Sequence, residues 1–221
     1  RMFRPRSAVA RDPDELLWVG NRKTSKGIDT LIEAMALVGG DRPLRLRMIG
    51  SAPTEAEDRR LMGLAASLGV ADRVRFEPPA SREQVAEAMA RAGLFVHPSP
   101  SESFGIVAIE ALATGLPIVA VAPTIADLIG RDGTLGELAE GPGAAALADA
   151  IARAIARIDS FDPAAARAAA APYDVDRVAG DILAIYRSLA PTAELAGTTA
   201  AADALGATGL ERGLGGRLGP T

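Results

Sequence analysis

The stretch LFVHPSPSESFGIVAIEALATGLPIVAV, residues 94–121, reads in direct succession as a strand, a polar loop, a helix and a second strand. LFVHPS (94–99) is a short apolar run that breaks into a Pro/Ser loop, and PIVAV (117–121) is another such run. Between them a helix spans about 105–114 and stops at Gly115. Short apolar strands without polar alternation, joined by a helix, are the mark of a parallel sheet covered on both faces. The same rhythm extends upstream. ELLWVG (15–20) is a buried strand, and Ile28, Leu31, Ile32 and Met35 recur at helical spacing to about residue 38. LRLRMIG (44–50) alternates and ends at Gly50, which reads as a second strand, and a helix over about 54–68 is closed by Gly69. RVRFE (73–77) is a third strand stopped by Pro78 and Pro79, and Ser81 caps a helix over about 82–92 that Gly93 is expected to end. Downstream, a short helix covers 125–129, AAALADAIARAIARI (144–158) is a strong helix, and another covers 174–189. Alternating strands and helices with right-handed crossovers predict a doubly wound, Rossmann-like α/β sheet. Such sheets bind ligands at the carboxyl ends of their strands, so the loops after Val19, Ile49, Phe76, Val96 and Val121 carry the interest.

Bulk properties narrow the function. A hydrophobic content of 48% suffices for a full core, which rules out wholesale disorder. A net charge of -4, without a Lys/Arg stripe, argues against a nucleic-acid backbone as partner. The chain has no cysteine, so disulfides and thiolate metal sites are excluded, and a cytoplasmic setting is expected. No apolar run approaches the roughly 20 residues that span a bilayer, and no signal peptide opens the sequence. Residues 14–190 are expected to form one domain, 1–13 a remnant of an interdomain linker, and 191–221, rich in Gly, Ala and Thr without periodicity, a disordered tail.

Within ESFGIVAIE two carboxylates stand apart, Glu102 in the loop and Glu110 in the helix. Counting Ile106, Ile109 and Ala113 as the buried stripe puts Glu110 one turn after Ile106, facing inward. A carboxylate there needs hydrogen-bond donors, and a ribose diol offers two. Read alone, Glu110 is equally a helix-edge residue that reaches solvent. Ser103-Phe104-Gly105-Ile106 begins the helix with a glycine, where backbone can approach a ligand and free N–H groups can meet an anion.

With these residues in view, ESFGIVAIEALATGLPIVA resembles the signature of the large retaining GT-B glycosyltransferase family, the "glycosyl transferases group 1" domain of bacterial mannosyl- and glucosyltransferases. WVGNRKTSKGIDTLIEAM, RLRMIGSAP, LGVADRVRFEP and AGLFVHPSPSE resemble further blocks of that family in its order, over about residues 14–190. The resemblance implies the C-terminal, donor-binding half of a GT-B fold. It implies that Glu102 contacts donor-sugar hydroxyls and that Glu110 holds the nucleotide ribose. Lys26 and Arg22 in GNRKTSKG would lie on the donor diphosphate, although the family's arginine often follows the glycine directly, where Asn21 stands here. Phe104, Gly105 and Ile106 would line the donor, and Gly20 and Gly50 would let it approach the strand ends.

The expected substrate is thus a nucleotide-diphosphate sugar, with no metal and no cofactor. The acceptor, a glycan, lipid or small molecule, would sit on an N-terminal domain missing from this chain, as would any peripheral membrane contact. Residues RMFRP (1–5) resemble the linker between the two halves, which makes the chain an expected fragment inactive in transfer by itself. A non-catalytic nucleotide-sugar-binding module or subunit remains open, as does a nucleotide-sugar epimerase on the same scaffold. His97, the one histidine, reads as structural, and Asp174-Val175-Asp176 reads as a helix cap pair and not a metal site. Thr124 replaces a glycine common in the corresponding family loop, and the helix at 174–189 is expected to expose Ile182, Ile185 and Tyr186.

Overall fold

β1 (Asp12–Val19), β2 (Arg45–Ile49), β3 (Val74–Glu77), β4 (Ala92–His97), β5 (Ile118–Ala120) and β6 (Gly136–Leu138) join in one sheet in the order β3-β2-β1-β4-β5-β6. Every pairing is parallel. The structure is a computed structural model that describes residues 2–5, 10–40, 42–130 and 133–189. The predicted doubly wound α/β fold is the one observed.

Eight α-helices are described: α1 (Ile28–Leu37), α2 (Glu55–Ser67), α3 (Arg82–Arg91), α4 (Ile106–Ala113), α5 (Ala126–Ile129), α6 (Ala144–Ala156), α7 (Pro163–Ala170) and α8 (Val175–Leu189). Alternation along the central strands divides the core in two. Leu16, Trp18, Leu94 and Val96 pack with Ile28, Leu31, Ile32 and Met35 of α1 and with Leu147 and Ile151 of α6. Leu17 and Phe95 point the other way, to Met89 of α3, Leu112 of α4 and Ala166 and Ala170 of α7. Burial of both strand faces explains why these strands lack polar alternation. Local signals set the helix starts. Thr54 Oγ1 accepts the Glu57 N–H at 3.2 Å to begin α2. Ser81 and Gln84 form a reciprocal capping box at α3.

Four features differ from the sequence reading. β1 starts at Asp12, inside the expected linker remnant. Gly93 does not end a helix; it lies in β4, where a Cβ would come within 2.6 Å of Pro13 Cα, so the glycine serves the close approach of β4 to β1. β6 and α7 were not expected from sequence. β6 is only GEL, too short to show a pattern, and it exists through its register with β5, Ile118 opposite Gly136. α7 is almost all alanine, with Pro163 in its first turn and Asp162 Oδ1 accepting the Ala164 N–H at 2.7 Å. The fourth is the buried face of α4. Ile106 is 64% exposed, and Ala108, Ala111 and Leu112 face the core instead. Two alanines beside Leu112 let α4 lie close against the core, where α7 packs on it.

Among the described residues, those up to Tyr173 form one unit and those from Asp174 a second. In the second, Asp174 Oδ1 accepts the Asp176 N–H at 3.1 Å, the expected cap pair. Ile182, Ile185 and Tyr186 of α8 are exposed, as expected, together with Val175, Val178, Leu183 and Leu189. The expected tail, 191–221, lies outside the described residues. Among the described residues no helix is long and apolar enough to cross a membrane.

Candidate functional site

The strand order reverses between β1 and β4, which makes the loops after these two strands neighbours at the carboxyl edge. Gly27 seals their contact. It adopts φ 70°, and a Cβ there would strike the Pro98 carbonyl oxygen. That contact brings Lys26 to Glu102, with Nζ 3.2 Å from Oε2. Glu102 Oε1 accepts the Ser103 N–H at 3.1 Å, and Thr124 Oγ1 donates to the Glu102 carbonyl at 2.9 Å. His97, the last residue of β4, places Nε2 3.4 Å from the same Oε2. Burial alone would push the Glu102 carboxyl up. The Lys26 ammonium, with the Ser103 N–H and His97, outweighs burial and holds it below the usual carboxylate range. Burial lowers the His97 imidazole, aided by the Lys26 charge and opposed by Glu102.

α4 starts at this cluster. Gly105 precedes its first turn at φ 76° and no side chain caps it, so the first-turn amides are available to an anion. A Cβ on Gly105 would strike Ile125, which fixes the loop 122–127 against the helix start. Phe104 and Ile106 are exposed on either side of Gly105, and the Phe104 ring meets Tyr173 edge-on at 5.7 Å.

Glu110 belongs to a different cluster. With Ile106 exposed, Glu110 flanks the buried stripe of α4 and is half-buried, with Arg82 Nη2 2.8 Å from its Oε1. Phe3 lies against the same guanidinium, 5.5 Å from ring centroid to Cζ. Burial raises the Glu110 carboxyl above its ordinary range, and Arg82 opposes the shift.

Arg22 departs from the sequence reading. It is 3% exposed, and its guanidinium points into the fold. Nε donates to Asp58 Oδ1 at 2.9 Å, and Nη1 donates to the carbonyls of Gly50 and, at 3.0 Å, Glu77. Its Cζ lies 5.6 Å above the Phe76 ring. Thus Arg22 ties the ends of β2 and β3 to α2 and does not stand with Lys26 at Glu102. Gly20 and Gly50 meet each other, since a Cβ on Gly50 would strike the Gly20 carbonyl oxygen. Their close approach is already accounted for by backbone packing. Among the described residues no group of three or more His, Asp or Glu could hold a metal ion.

Lys26, Glu102 and the start of α4 are therefore brought together, whereas Glu110 and Arg22 have partners of their own. His97, Thr124 and Arg82 were missed as members of the two clusters. For His97 a signal existed, its position at a strand end beside the reversal point.

The model of the glycosyl transferases group 1 family matches residues 2–167. D-inositol 3-phosphate glycosyltransferase of Geodermatophilus obscurus is 38% identical over 194 residues, covering 85% of this chain and 43% of its own length. The enzyme of that name from Streptomyces coelicolor is 40% identical over 152 residues, 66% of this chain and 33% of its own length. The chain thus spans less than half the length of these curated relatives. Among solved structures, sucrose-phosphate synthase from Thermosynechococcus elongatus superposes with a TM-score of 0.69 at 32% identity, covering 85% of this chain and 50% of that one. HepE of Anabaena, solved in complex with UDP and glucose, gives a TM-score of 0.70 at 25% identity, covering 79% and 48%. With the family model matched over most of its length and a Rossmann-like sheet shared with these GT-B enzymes, the chain belongs to the glycosyl transferases group 1 family.

Proposed function

We propose that this chain is the donor-binding half of a glycosyltransferase that takes a sugar from a nucleoside diphosphate and passes it, with retention, to an acceptor held by another domain. One observation carries the reading: Lys26 and Glu102 meet at the reversal point beside the uncapped start of α4. Lys26 and the first-turn amides around Gly105 would meet the diphosphate and stabilise the charge that grows on it as the sugar leaves. With that charge answered by an ammonium and by backbone amides, the reaction needs no metal. Glu102 would accept hydrogen bonds from sugar hydroxyls, and Glu110 from the ribose diol, shared with or released by Arg82. Gly20 and Gly50 would leave the strand ends open to the nucleotide, and Phe104 and Ile106 would border the donor on its exposed side. Arg22 would act indirectly, by fixing the loop that carries Lys26. The UDP and glucose of HepE support a uridine diphosphate sugar as the first donor to try.

Calorimetry with UDP, GDP, UDP-glucose and GDP-mannose tests the reading. At least one should bind, and Glu110→Ala should weaken its nucleotide by about 1–3 kcal/mol, the scale of lost charged hydrogen bonds. A folded wild-type chain that binds none of the four would sink the proposal. The reading also assigns no transfer to the chain alone, because half a cleft cannot orient an acceptor.

A further inference from the structure

His97 presents a nitrogen without a partner. The residue is 4% exposed, and its Nε2 makes no hydrogen bond. A buried polar atom left unpaired is costly, so one that persists invites a functional account. The ring stacks near Phe95, with centroids 6.4 Å apart, and the ionisable groups that bear on it are Glu102 and Lys26. Burial pushes the imidazole below the ordinary histidine range, which favours its neutral form.

A neutral imidazole carries one proton, on either nitrogen. With the proton on Nδ1, the Nε2 lone pair would face a carboxylate oxygen 3.4 Å away, two negative poles without relief. With the proton on Nε2, the same approach becomes that of a donor to an acceptor. In the free chain Oε2 of Glu102 has Lys26 at 3.2 Å, and His97 Nε2 stands 3.4 Å away without a hydrogen bond. The picture changes if Lys26 turns to a diphosphate. Oε2 then loses its ammonium, and the His97 N–H is the donor that faces it.

We propose that His97 is a positioning residue for Glu102: its neutral imidazole, protonated on Nε2, holds Oε2 once Lys26 engages the diphosphate, so that the carboxylate stays aimed at the donor sugar. This inference rests on the donor-site reading given above. A neutral donor suits the task better than a second cation. It fixes the carboxylate without competing with the sugar for its charge and without itself binding phosphate.

The chain has a single histidine, so one imidazole can be followed by nitrogen-15 NMR without assignment. In the free chain at neutral pH the ring should be protonated on Nε2. Its midpoint should fall in Glu102→Gln, which removes the carboxylate, and rise in Lys26→Ala, which removes the opposing charge. A ring protonated on Nδ1, or a midpoint indifferent to Glu102→Gln, overturns the inference and leaves the donor-site reading standing.

The second arm compares UDP-glucose with UDP, or GDP-mannose with GDP where that pair binds. His97→Ala should weaken the nucleotide sugar roughly tenfold, the effect of one lost hydrogen bond to a charged group, and leave the bare nucleotide unchanged. His97→Gln, which restores an N–H donor, should recover part of the loss. Equal losses for sugar and nucleotide would assign His97 to packing alone and overturn the inference. A folded wild-type chain that binds neither member of either pair overturns the donor-site reading and this inference together.

Discussion

Arg22 and Lys26 share the loop after β1, yet the fold treats them in opposite ways. Arg22 is buried, and its guanidinium serves three segments, the Asp58 carboxylate on α2 and the carbonyls that end β2 and β3. The Lys26 side chain is 40% exposed and pairs with one carboxylate, Glu102, beside an uncapped helix. A planar fork of fixed donors suits several acceptors at set angles, and a compact charge on a flexible stem suits a partner that comes and goes. The contrast teaches that a cluster of cations in a loop is not one feature. Arg22 builds the edge of the sheet, and Lys26 addresses what lies above it.

The largest effect expected from this division is on stability. Arg22→Ala removes the donors to the Gly50 and Glu77 carbonyls and the partner of Asp58, and should cost about 3 kcal/mol, within the range for breaking a buried charged network. Arg22→Lys should lose most of that too, because an ammonium cannot reproduce the fork. Urea denaturation measures both. If Arg22→Ala keeps its urea midpoint but loses diphosphate binding, the roles of the two cations are reversed.

Arg22 also shows where sequence reading stops. Its sequence neighbours Lys23 and Lys26 suggest an anion site, but its orientation is set by Asp58, 36 residues away, and by carbonyls whose places depend on the assembled sheet. Lys26 and Glu102 lie 76 residues apart, and the sequence puts both in loops at the carboxyl ends of strands and in the family's blocks, without pairing them. Fold class was legible because apolar strands and amphipathic helices alternate from β1 through β5. The pattern failed at β6 and α7, where three residues or a run of alanines carry no period. Even there Asp162-Pro163, a cap followed by a first-turn proline, announced a helix start. On α4 the spacing points to Ile106, Ile109 and Ala113 as the buried face. Packing buries Ala108 and Ala111 with Leu112, and Ile106 is left outside.

A second, smaller effect sharpens the comparison from the side of Lys26. An ion pair this exposed contributes about 1 kcal/mol or less to stability, so Lys26→Ala should leave the urea midpoint almost in place. It should weaken UDP about tenfold, the loss of one charge-assisted hydrogen bond, and leave uridine unchanged. Added salt should erode UDP binding more in the wild type than in Lys26→Ala, because the screened attraction is the one the variant lacks. Equal losses for UDP and uridine would return Lys26 to the same structural class as Arg22.

The smallest effect concerns Arg82, the exposed partner of Glu110, and it appears only against pH. Arg82 is 72% exposed, so its ion pair contributes little, and Arg82→Ala should change stability at neutral pH by roughly 0.5 kcal/mol or less. Burial nevertheless raises the Glu110 carboxyl, and Arg82 is the group that restrains the rise. Without it the carboxyl should take up its proton at a higher pH. A ribose diol donates two hydrogen bonds, which an ionised carboxylate accepts and a protonated one accepts less well. Nucleotide affinity should therefore fall as pH drops toward the Glu110 midpoint, and in Arg82→Ala the fall should begin at higher pH. The stability term has its own sign. A carboxyl raised in the folded state favours folding most at low pH, and that contribution disappears as pH rises through the folded midpoint. Affinity and stability should thus move in opposite directions across the same interval, which separates a binding role for Glu110 from a packing role. Calorimetry of the wild type and Arg82→Ala from about pH 7 down to about pH 4, a span that enters the ordinary carboxylate range, reads the shift. Identical profiles for the two chains would mean that Arg82 does not govern Glu110, and a profile flat in both would remove Glu110 from the ribose.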